Sequence, residues 1–126
     1  ANKVIKLMNK KGILVKDANI LLLGITFKEN CPDIRNTKIA DIYTTLYEYS
    51  ENIVVYDHWA NPEQVYNEYG ITVVNALPQN ELYNAVVLCV AHKEFINLDV
   101  RGLLNGSGVV YDVKGVLDRE QIDGRL

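Results

Sequence analysis

Short apolar runs alternate along the chain with amphipathic stretches, and this alternation predicts the secondary structure. Apolar runs predict strands at 20–24, 53–56, 71–74, 85–90 and 109–112. Most of these runs contain almost no polar residue, which is typical of strands buried on both faces of a parallel sheet. Apolar residues at helical spacing, or capping residues, predict helical segments at about 2–11, 37–49, 62–69, 78–83 and 94–104.

The alternating order of these elements predicts an α/β fold. We expect a three-layer, Rossmann-like domain with a mostly parallel sheet of about five strands and helices on both faces. The 126 residues are enough for one such domain with its own core. Ligands of these folds bind at the carboxyl ends of the strands, near the point where the strand order reverses. Functional residues are therefore expected in 26–35, 57–59 and 91–95, and at Lys114.

Composition narrows the classes of partner. The net charge of −3 argues against a nucleic-acid surface, so a phosphate site would have to be local. No apolar stretch reaches the length of a membrane span, and no membrane partner is expected. The two cysteines, Cys31 and Cys89, lack zinc-ligand spacing and fit a reducing cytosol, so we expect a cytoplasmic protein without a metal site.

The segment after the first strand lacks the standard dinucleotide fingerprint. It reads Gly24-Ile-Thr-Phe-Lys28, with one glycine where the fingerprint needs three. Asp57, after the second strand, lies 33 positions beyond Gly24, whereas the ribose-binding acid normally lies about 20 positions on. We therefore expect no NAD site in this chain, and Asp57 is interpreted as a turn or cap residue.

The residues that stand in place of the glycines favour an anion site. Phe27 offers a flat apolar surface and Lys28 a flexible cation, both just beyond a buried strand. Arg35 adds a planar fork close to a helix N-terminus, where exposed amides attract phosphate. The alternative from the same residues is a salt bridge between Asp33 and Arg35 with a solvated Lys28. Composition does not decide between the two.

Two further reactive side chains lie near the predicted carboxyl edge. His92 follows the fourth strand and is interpreted as a ligand contact or a helix cap rather than a general base. Cys31 is interpreted as a free loop thiol, because no glycine turn and no base accompany it. No catalytic residue is therefore expected in the chain.

The segment at 24–37 reads Gly-Ile-Thr-Phe-Lys-Glu-Asn-Cys-Pro-Asp-Ile-Arg-Asn-Thr. It resembles the start of the UDP-binding domain of the UDP-glucose/GDP-mannose dehydrogenase family. The resemblance continues through 55–59, 90–95 and 110–115, and so covers nearly the whole chain. The Cys-Pro-Asp sequence at 31–33 and the pair Ala91-His92 are most similar to the branch that acts on UDP-N-acetylhexosamines.

The resemblance implies an enzyme of three parts that oxidises the C6 alcohol of a UDP-sugar to a carboxylate in two NAD-dependent steps. It assigns NAD to an N-terminal Rossmann domain, the catalytic cysteine to a central helical region and the substrate nucleotide to this chain. Residues 1–14 would be the tail of the central region or a linker, and 15–126 the UDP-sugar-binding domain. The products would feed polysaccharide or capsule synthesis. The chain alone is expected to be inactive, and the whole enzyme a homodimer or higher homo-oligomer.

The resemblance also implies the substrate contacts. Phe27 and Lys28 match positions that contact the nucleotide or bridge to the sugar, and Arg35 matches the basic residue of an Asp-x-Arg signature. Lys114 matches a basic position, often arginine in relatives, that reaches the nucleotide. His92 falls in a branch-specific motif. These five residues are the expected substrate-binding set, with no catalytic, cofactor-binding or metal-binding residue beside them.

Two other classes of protein share some of these features. A standalone nucleotide-binding or interaction module would fit the same residues. A phosphorelay receiver would match the length, the fold class, Asp57 and the late Lys114. However, a receiver needs an acidic pair after its first strand, where this chain has Gly24-Ile-Thr-Phe27, and its phosphorylated aspartate follows the third strand. Acetyl phosphate is therefore not expected to label the protein.

Overall fold

A parallel sheet forms the middle layer of the fold. In the computed structural model, which describes residues 1–125, the sheet has six strands in the spatial order β3-β2-β1-β4-β5-β6. They are β1 (Ile20–Leu23), β2 (Ile53–Tyr56), β3 (Val73–Val74), β4 (Tyr83–Leu88), β5 (Leu104–Asp112) and β6 (Gly124–Arg125). Every neighbouring pair is parallel. The strand order reverses between β1 and β4, which is where such sheets open a ligand crevice.

Helices cover both faces of the sheet. The described part of the chain contains α1 (Asn2–Lys10), α2 (Ile39–Tyr47), α3 (Pro62–Tyr69) and α4 (Lys93–Ile96), with short 3₁₀ turns at Val15–Asp17, Arg101–Leu103 and Arg119–Gln121. Buried residues of α1, α2 and α3 pack on one face against alternate residues of β1, Ile20 and Leu22. The intervening Leu21 and Leu23 pack on the other face against Phe95 of α4. The predicted α/β class with helices on both faces is confirmed.

Local sequence explains where α2 and α3 begin. The side chain of Asn61 accepts hydrogen bonds from the amides of Glu63 and Gln64, and Pro62 takes the first position of α3, where its missing N–H costs nothing. Gly70 ends this helix with φ of 71°. At α2, the hydroxyl of Thr37 accepts a hydrogen bond from the amide of Ile39 at 3.2 Å. The predicted span of α3 is therefore confirmed.

Two sequence-based predictions of secondary structure are wrong, and one strand was missed. Segment 78–83 is an irregular loop rather than a helix: Asn80 takes φ of 61°, and Tyr83 already enters β4 as a fully buried side chain. Segment 94–104 is not one helix: it holds most of the short α4, an irregular stretch, one 3₁₀ turn and the first residue of β5. The strand β6 went unpredicted because two residues, Gly124 and Arg125, carry no strand pattern; only their pairing with Tyr111 and Asp112 defines it.

Helix α1 is an integral part of the core. Its residues Val4, Ile5 and Met8 are buried in the same cluster as β1, β2 and β4. Just beyond it, the ammonium group of Lys11 binds the carboxylate of Asp123 at 2.8 Å. The assignment of 1–14 to the tail of a preceding helical region stays a prediction. Within residues 1–125, no helix combines the length and the apolar character that a membrane span needs.

Candidate functional site

A crevice of about 210 Å³ opens at the carboxyl edge of the sheet, at the point where the strand order reverses. Four segments line it: the chain after β1, the chain after β4, the loop after β5 and the start of α2. The lining residues are Thr26, Phe27, Asn36, Thr37, Lys38, Ile39, Cys89, Val90 and Lys114. This lining offers two ammonium groups and no carboxylate, together with apolar surface and hydroxyl and amide groups. Such a combination suits an anion that carries a flat ring.

At least four larger grooves lie elsewhere on the described residues. One of about 460 Å³ lies between residues 32–35 and α3, and another of about 480 Å³ lies at the amino edge of the sheet beside Asn19 and Tyr83. The second is far from the loops that follow the strands and includes Glu51 and Glu81. A groove of about 230 Å³ beside α1 is also lined by basic side chains, so a cationic lining alone does not select the site. Position at the strand-order reversal favours the smaller crevice as the ligand site.

Gly24 lets the ends of β1 and β4 approach each other at the base of this crevice. Its φ is 99°, and a Cβ atom built on it would lie 2.6 Å from Cβ of Val90. Any larger residue would push the two strand ends apart. Gly24 thus serves close packing within the sheet, whereas the fingerprint glycines of dinucleotide folds let phosphate approach the backbone.

Lys114 is held by a buried carboxylate at the end of β5. Asp112 is fully buried, and its oxygens accept hydrogen bonds from the amides of Lys114, Gly115 and Leu117 at 3.0, 2.8 and 2.7 Å. Gly115 takes φ of 70° within the turn. The turn therefore has a fixed backbone, and the Lys114 side chain is exposed at the crevice.

Asp57 has the same role at the end of β2. Its Oδ1 accepts hydrogen bonds from the amides of Trp59 and Ala60, and its Oδ2 accepts them from the amides of Ile25 and Thr26. Burial by itself raises the pKa of this carboxyl, but the hydrogen bonds from His92 and from the amides outweigh it, so the pKa is lowered overall. The interpretation of Asp57 as a turn residue agrees with this geometry.

The burial of Asp57 argues against two alternative functions, an NAD site and a phosphorelay receiver. Both of its oxygens are engaged by protein donors, and the side chain is fully buried, so it has no oxygen to offer a ribose hydroxyl. These residues therefore do not fit NAD. The same burial withholds the carboxylate from phosphorylation and argues against a receiver domain.

His92 lies beneath the loop that follows β1. The imidazole is fully buried, with Nε2 at 3.0 Å from Oδ2 of Asp57 and 3.1 Å from the hydroxyl of Thr26. Its Nδ1 accepts a hydrogen bond from the amide of Asn30 at 2.9 Å. Both ring nitrogens are thus bonded inside the protein. Direct contact between His92 and a substrate stays a prediction, and the present geometry offers the ligand no free ring nitrogen.

Arg35 points away from the crevice. Its guanidinium forms a two-pronged contact with Asp33, with Nε and Nη2 at 3.0 and 3.1 Å from the two carboxylate oxygens. The side-chain hydrogen bond from Arg35 lowers the pKa of Asp33 to about 2. The salt bridge that the sequence left open is therefore present. Arg35 lines the groove beside α3 rather than the crevice.

The structure thus brings together part of the predicted set. Phe27, with 55% of its surface exposed, and Lys114 both line the crevice, and Lys28 follows Phe27 on the exposed loop. Sequence reasoning missed Lys38 as a second lining cation. The available signal was its position at the N-terminus of a helix that starts at the same edge of the sheet.

The two cysteines differ in environment. Cys89 is fully buried, and this burial raises the pKa of its thiol to about 12, so it is neutral at physiological pH. Cys31 is partly exposed in the loop. No group of three or more His, Cys, Asp or Glu side chains within residues 1–125 is placed to hold a metal ion.

A parallel sheet of this strand order, with a cationic crevice at the reversal point, defines a Rossmann-like domain, the class in which nucleotides commonly bind at this edge. The sequence model of the UDP-glucose/GDP-mannose dehydrogenase family, UDP binding domain, matches residues 21–119. The chain belongs to this family.

Curated relatives and solved structures agree with this placement. The chain is 44% identical to UDP-N-acetyl-D-glucosamine 6-dehydrogenase of Pseudomonas aeruginosa over 99% of its length, and 43% identical to the enzyme of the same name from Salmonella typhi over 100%. It spans about 30% of the length of each relative. An NDP-N-acetyl-D-galactosaminuronic acid dehydrogenase from Methanosarcina mazei Go1 has the same fold, with a TM-score of 0.82 at 17% identity over 95% of this chain and 25% of that one.

Proposed function

We propose that this chain is the substrate-nucleotide-binding domain of an NAD-dependent UDP-sugar 6-dehydrogenase. One observation carries the proposal: the family match over residues 21–119 spans the loops that line the crevice, including Phe27 and Lys114. The names of the most similar relatives favour a UDP-N-acetylhexosamine as the substrate class. The lining of the crevice also suits a nucleoside diphosphate, because this ligand combines a flat base with the negative charge of its phosphates.

Each crevice residue has a distinct task in this proposal. Phe27 provides an exposed ring against which the base or ribose packs. Lys114 and Lys38, on either side of the crevice, neutralise the diphosphate. Lys28 lies one residue beyond Phe27 on the exposed loop and reaches the diphosphate or the sugar. The α2 N-terminus lines the crevice as well, and its helix dipole favours a negative charge.

Arg35 and His92 complete the proposed set in a different way. Arg35 closes the loop by its two-pronged contact with Asp33, and the exposed guanidinium faces the groove beside α3. His92 supports the loop from below through Asn30 and Thr26. Both residues therefore serve the nucleotide by shaping the segment that carries Phe27 and Lys28.

Binding the nucleotide here would serve a reaction that occurs on other parts of the enzyme. The diphosphate and uridine do not react, so the energy of binding them is available to hold the sugar C6 beside a catalytic cysteine and NAD. NAD and that cysteine belong to the segments that precede this domain in the whole enzyme. We place the enzyme in the cytoplasm, as a homodimer or higher homo-oligomer that makes uronate precursors of polysaccharides or capsules.

Isothermal titration calorimetry of the chain with UDP tests the proposal. We expect one site per chain and weaker binding of ADP, because the matching family model is that of a UDP-binding domain. A parallel assay of NAD reduction with UDP-N-acetylglucosamine is expected to show no turnover by the chain alone. Turnover by the chain alone, or binding of ADP as strong as that of UDP, would contradict the proposal.

A further inference from the structure

We propose that His92 is a positioning residue that holds residues 26–30 in the conformation that presents Phe27 and Lys28 to the ligand. That Phe27 and Lys28 contact the ligand rests on the proposed function. The support of residues 26–30 by His92 rests on hydrogen bonds within the chain, and so it can be tested separately.

Hydrogen bonding defines the protonation of the ring. The amide of Asn30 can only donate, so Nδ1 of His92, 2.9 Å away, must be the acceptor and carries no proton. The ring proton is therefore on Nε2, where it is shared between Oδ2 of Asp57 at 3.0 Å and the hydroxyl of Thr26 at 3.1 Å. His92 is thus a neutral imidazole of one tautomer, with a different task for each nitrogen.

Two chains of hydrogen bonds run from the ring into the loop. Through Nδ1, His92 binds the backbone of Asn30, whose side-chain oxygen in turn accepts the amide of Lys93 at 2.9 Å. Through Nε2, it contacts Thr26, whose hydroxyl donates to the carbonyl oxygen of Lys28 at 3.0 Å. The two chains reach the loop on either side of Glu29, and so they fix the backbone of the segment that begins with Phe27 and Lys28.

The ring itself has a fixed orientation. It is stacked on Trp59 with ring centres 6.0 Å apart and tilted against Phe95 at 5.5 Å. Trp59 is in turn held by a hydrogen bond from its indole N–H to Glu94 at 3.0 Å. The loop above it includes Asn30, whose φ of 54° lies in the left-handed region that asparagine adopts more readily than most other side chains. His92 supplies a rigid support for this loop.

The two nitrogens can be separated by substitution. In His92→Asn, the shorter amide places an oxygen near the position of Nδ1, so the bond from Asn30 is kept and the bond to Asp57 is lost. In His92→Gln, the longer amide places its NH₂ near the position of Nε2, so the bond to Asp57 is kept and the bond from Asn30 is lost. The hydroxyl of Thr26 can donate to the carbonyl oxygen of Lys28 without His92, so losing Nε2 leaves that bond in place. The proposal therefore predicts that the loop, and hence UDP binding, follows the Nδ1 side.

NMR provides the readouts. We expect H92Q to weaken UDP binding by about fivefold or more and to speed hydrogen exchange of the Asn30 amide by at least about tenfold, since one hydrogen bond of about 1 to 1.5 kcal/mol is lost. H92N should bind UDP within about twofold of the parent chain while unfolding at a lower denaturant concentration. Unchanged binding and unchanged Asn30 exchange in H92Q would overturn the proposal. So would parallel losses of affinity and stability in both variants, because that pattern means a structural role alone.

The parent chain gives a test that needs neither substitution nor ligand. The ¹⁵N spectrum of the His92 ring should show an unprotonated Nδ1 and a protonated Nε2, and the Asn30 amide should exchange slowly. A protonated Nδ1, or a rapidly exchanging Asn30 amide, would overturn the positioning role. Failure of the parent chain to bind UDP would instead refute the proposed function. The ring spectrum and the Asn30 exchange rate would still show whether His92 supports the loop.

Discussion

Nε2 of His92 lies 3.0 Å from Oδ2 of Asp57, and both side chains are fully buried beneath the carboxyl edge of the sheet. Through this pair, the segments that follow β1, β2 and β4 share one hydrogen-bond network. Dinucleotide folds shape the turn after β1 with glycines. This chain instead uses a buried carboxylate and an imidazole to shape it, which leaves room for Phe27 and Lys28 to project from the loop.

Replacing Asp57 with Asn should destabilise the protein by about 3 kcal/mol or more, because an NH₂ group would then face backbone or imidazole donors in the interior. Urea denaturation at pH 7 measures this change in the free energy of unfolding. Asp33→Asn is the matched control: its partner Arg35 is exposed, and the loss should be much smaller than that of Asp57→Asn. Equal losses in the two variants would contradict the role of Asp57.

The lowered pKa of Asp57 also predicts a dependence on acid. A carboxyl whose folded-state pKa lies below its unfolded value contributes stability above about pH 3.9, and this contribution is lost as the pH falls through the folded pKa. Asp57→Asn should therefore flatten part of the acid limb of the stability curve below about pH 4. If the free energy of unfolding of Asp57→Asn falls with pH as steeply as that of the parent chain, other carboxyls account for the loss of stability in acid.

Replacing Gly24 with Ala should cost about 3 kcal/mol or more. The new Cβ would overlap Val90, and the backbone angle of 99° is strained for any side chain. Gly12→Ala is a control with similar strain, since φ is 75°, but with open space around the new atom, and it should cost only about 1 to 2 kcal/mol. Thermal denaturation compares them, and a G12A loss as large as that of G24A would contradict the packing argument.

Cys89 predicts a loss of stability in alkali. Burial raises the pKa of its thiol from 9.0 to about 12 in the folded protein, so only the unfolded chain ionises as the pH rises past 9. Stability present below pH 9 is then lost up to about pH 12, with about 1 kcal/mol lost between pH 9 and 10. Urea denaturation at these two pH values should show the drop in the parent chain and in Cys31→Ala. Cys89→Ala should lose about 1 kcal/mol less between these two pH values. An equal loss in that variant would refute the assignment of this loss to the Cys89 thiol.

Lys114→Ala should weaken UDP binding by about tenfold or more, because a cation that lines the crevice is removed without disturbing the turn, whose bonds involve the backbone. Lys114→Arg should bind at least as tightly as the parent, since the guanidinium adds a two-pronged contact with phosphate. Lys16→Ala, on an exposed 3₁₀ turn that does not line the crevice, is the control. Calorimetry at constant salt compares the three, and equal effects of K114A and K16A would remove Lys114 from the site.

Sequence patterns predicted those parts of the fold that depend on local residues. The runs at 20–24 and 53–56 are almost wholly apolar, and Asn61-Pro62 and Gly70 mark the ends of α3, so these elements were located well. The segment at 78–83 was assigned wrongly because Tyr83 belongs to the sheet by tertiary burial, which no local pattern records. Strand β6 depends wholly on its partner β5.

In the candidate site, too, sequence patterns found the residues that depend on local position and missed the roles that depend on distant segments. Phe27 and Lys114 were found because each lies in the loop after a strand, and the carboxyl ends of parallel strands meet at one edge. The inward orientation of His92 and the role of Asp112 depend on bonds between segments far apart in sequence. Arg35 illustrates the limit: the sequence allowed both a phosphate contact and a bond to Asp33, and only the folded loop shows that the bond forms.

The most direct test of the account is an NMR titration of the ¹⁵N-labelled chain with UDP, because chemical shifts report weak binding and its location together. We predict saturable shifts concentrated at Thr26, Phe27, Lys38, Val90 and Lys114, the residues of the crevice. No saturable shifts, or shifts concentrated at the groove beside Asn19 and Tyr83, would contradict the claim that this domain holds the nucleotide of the substrate.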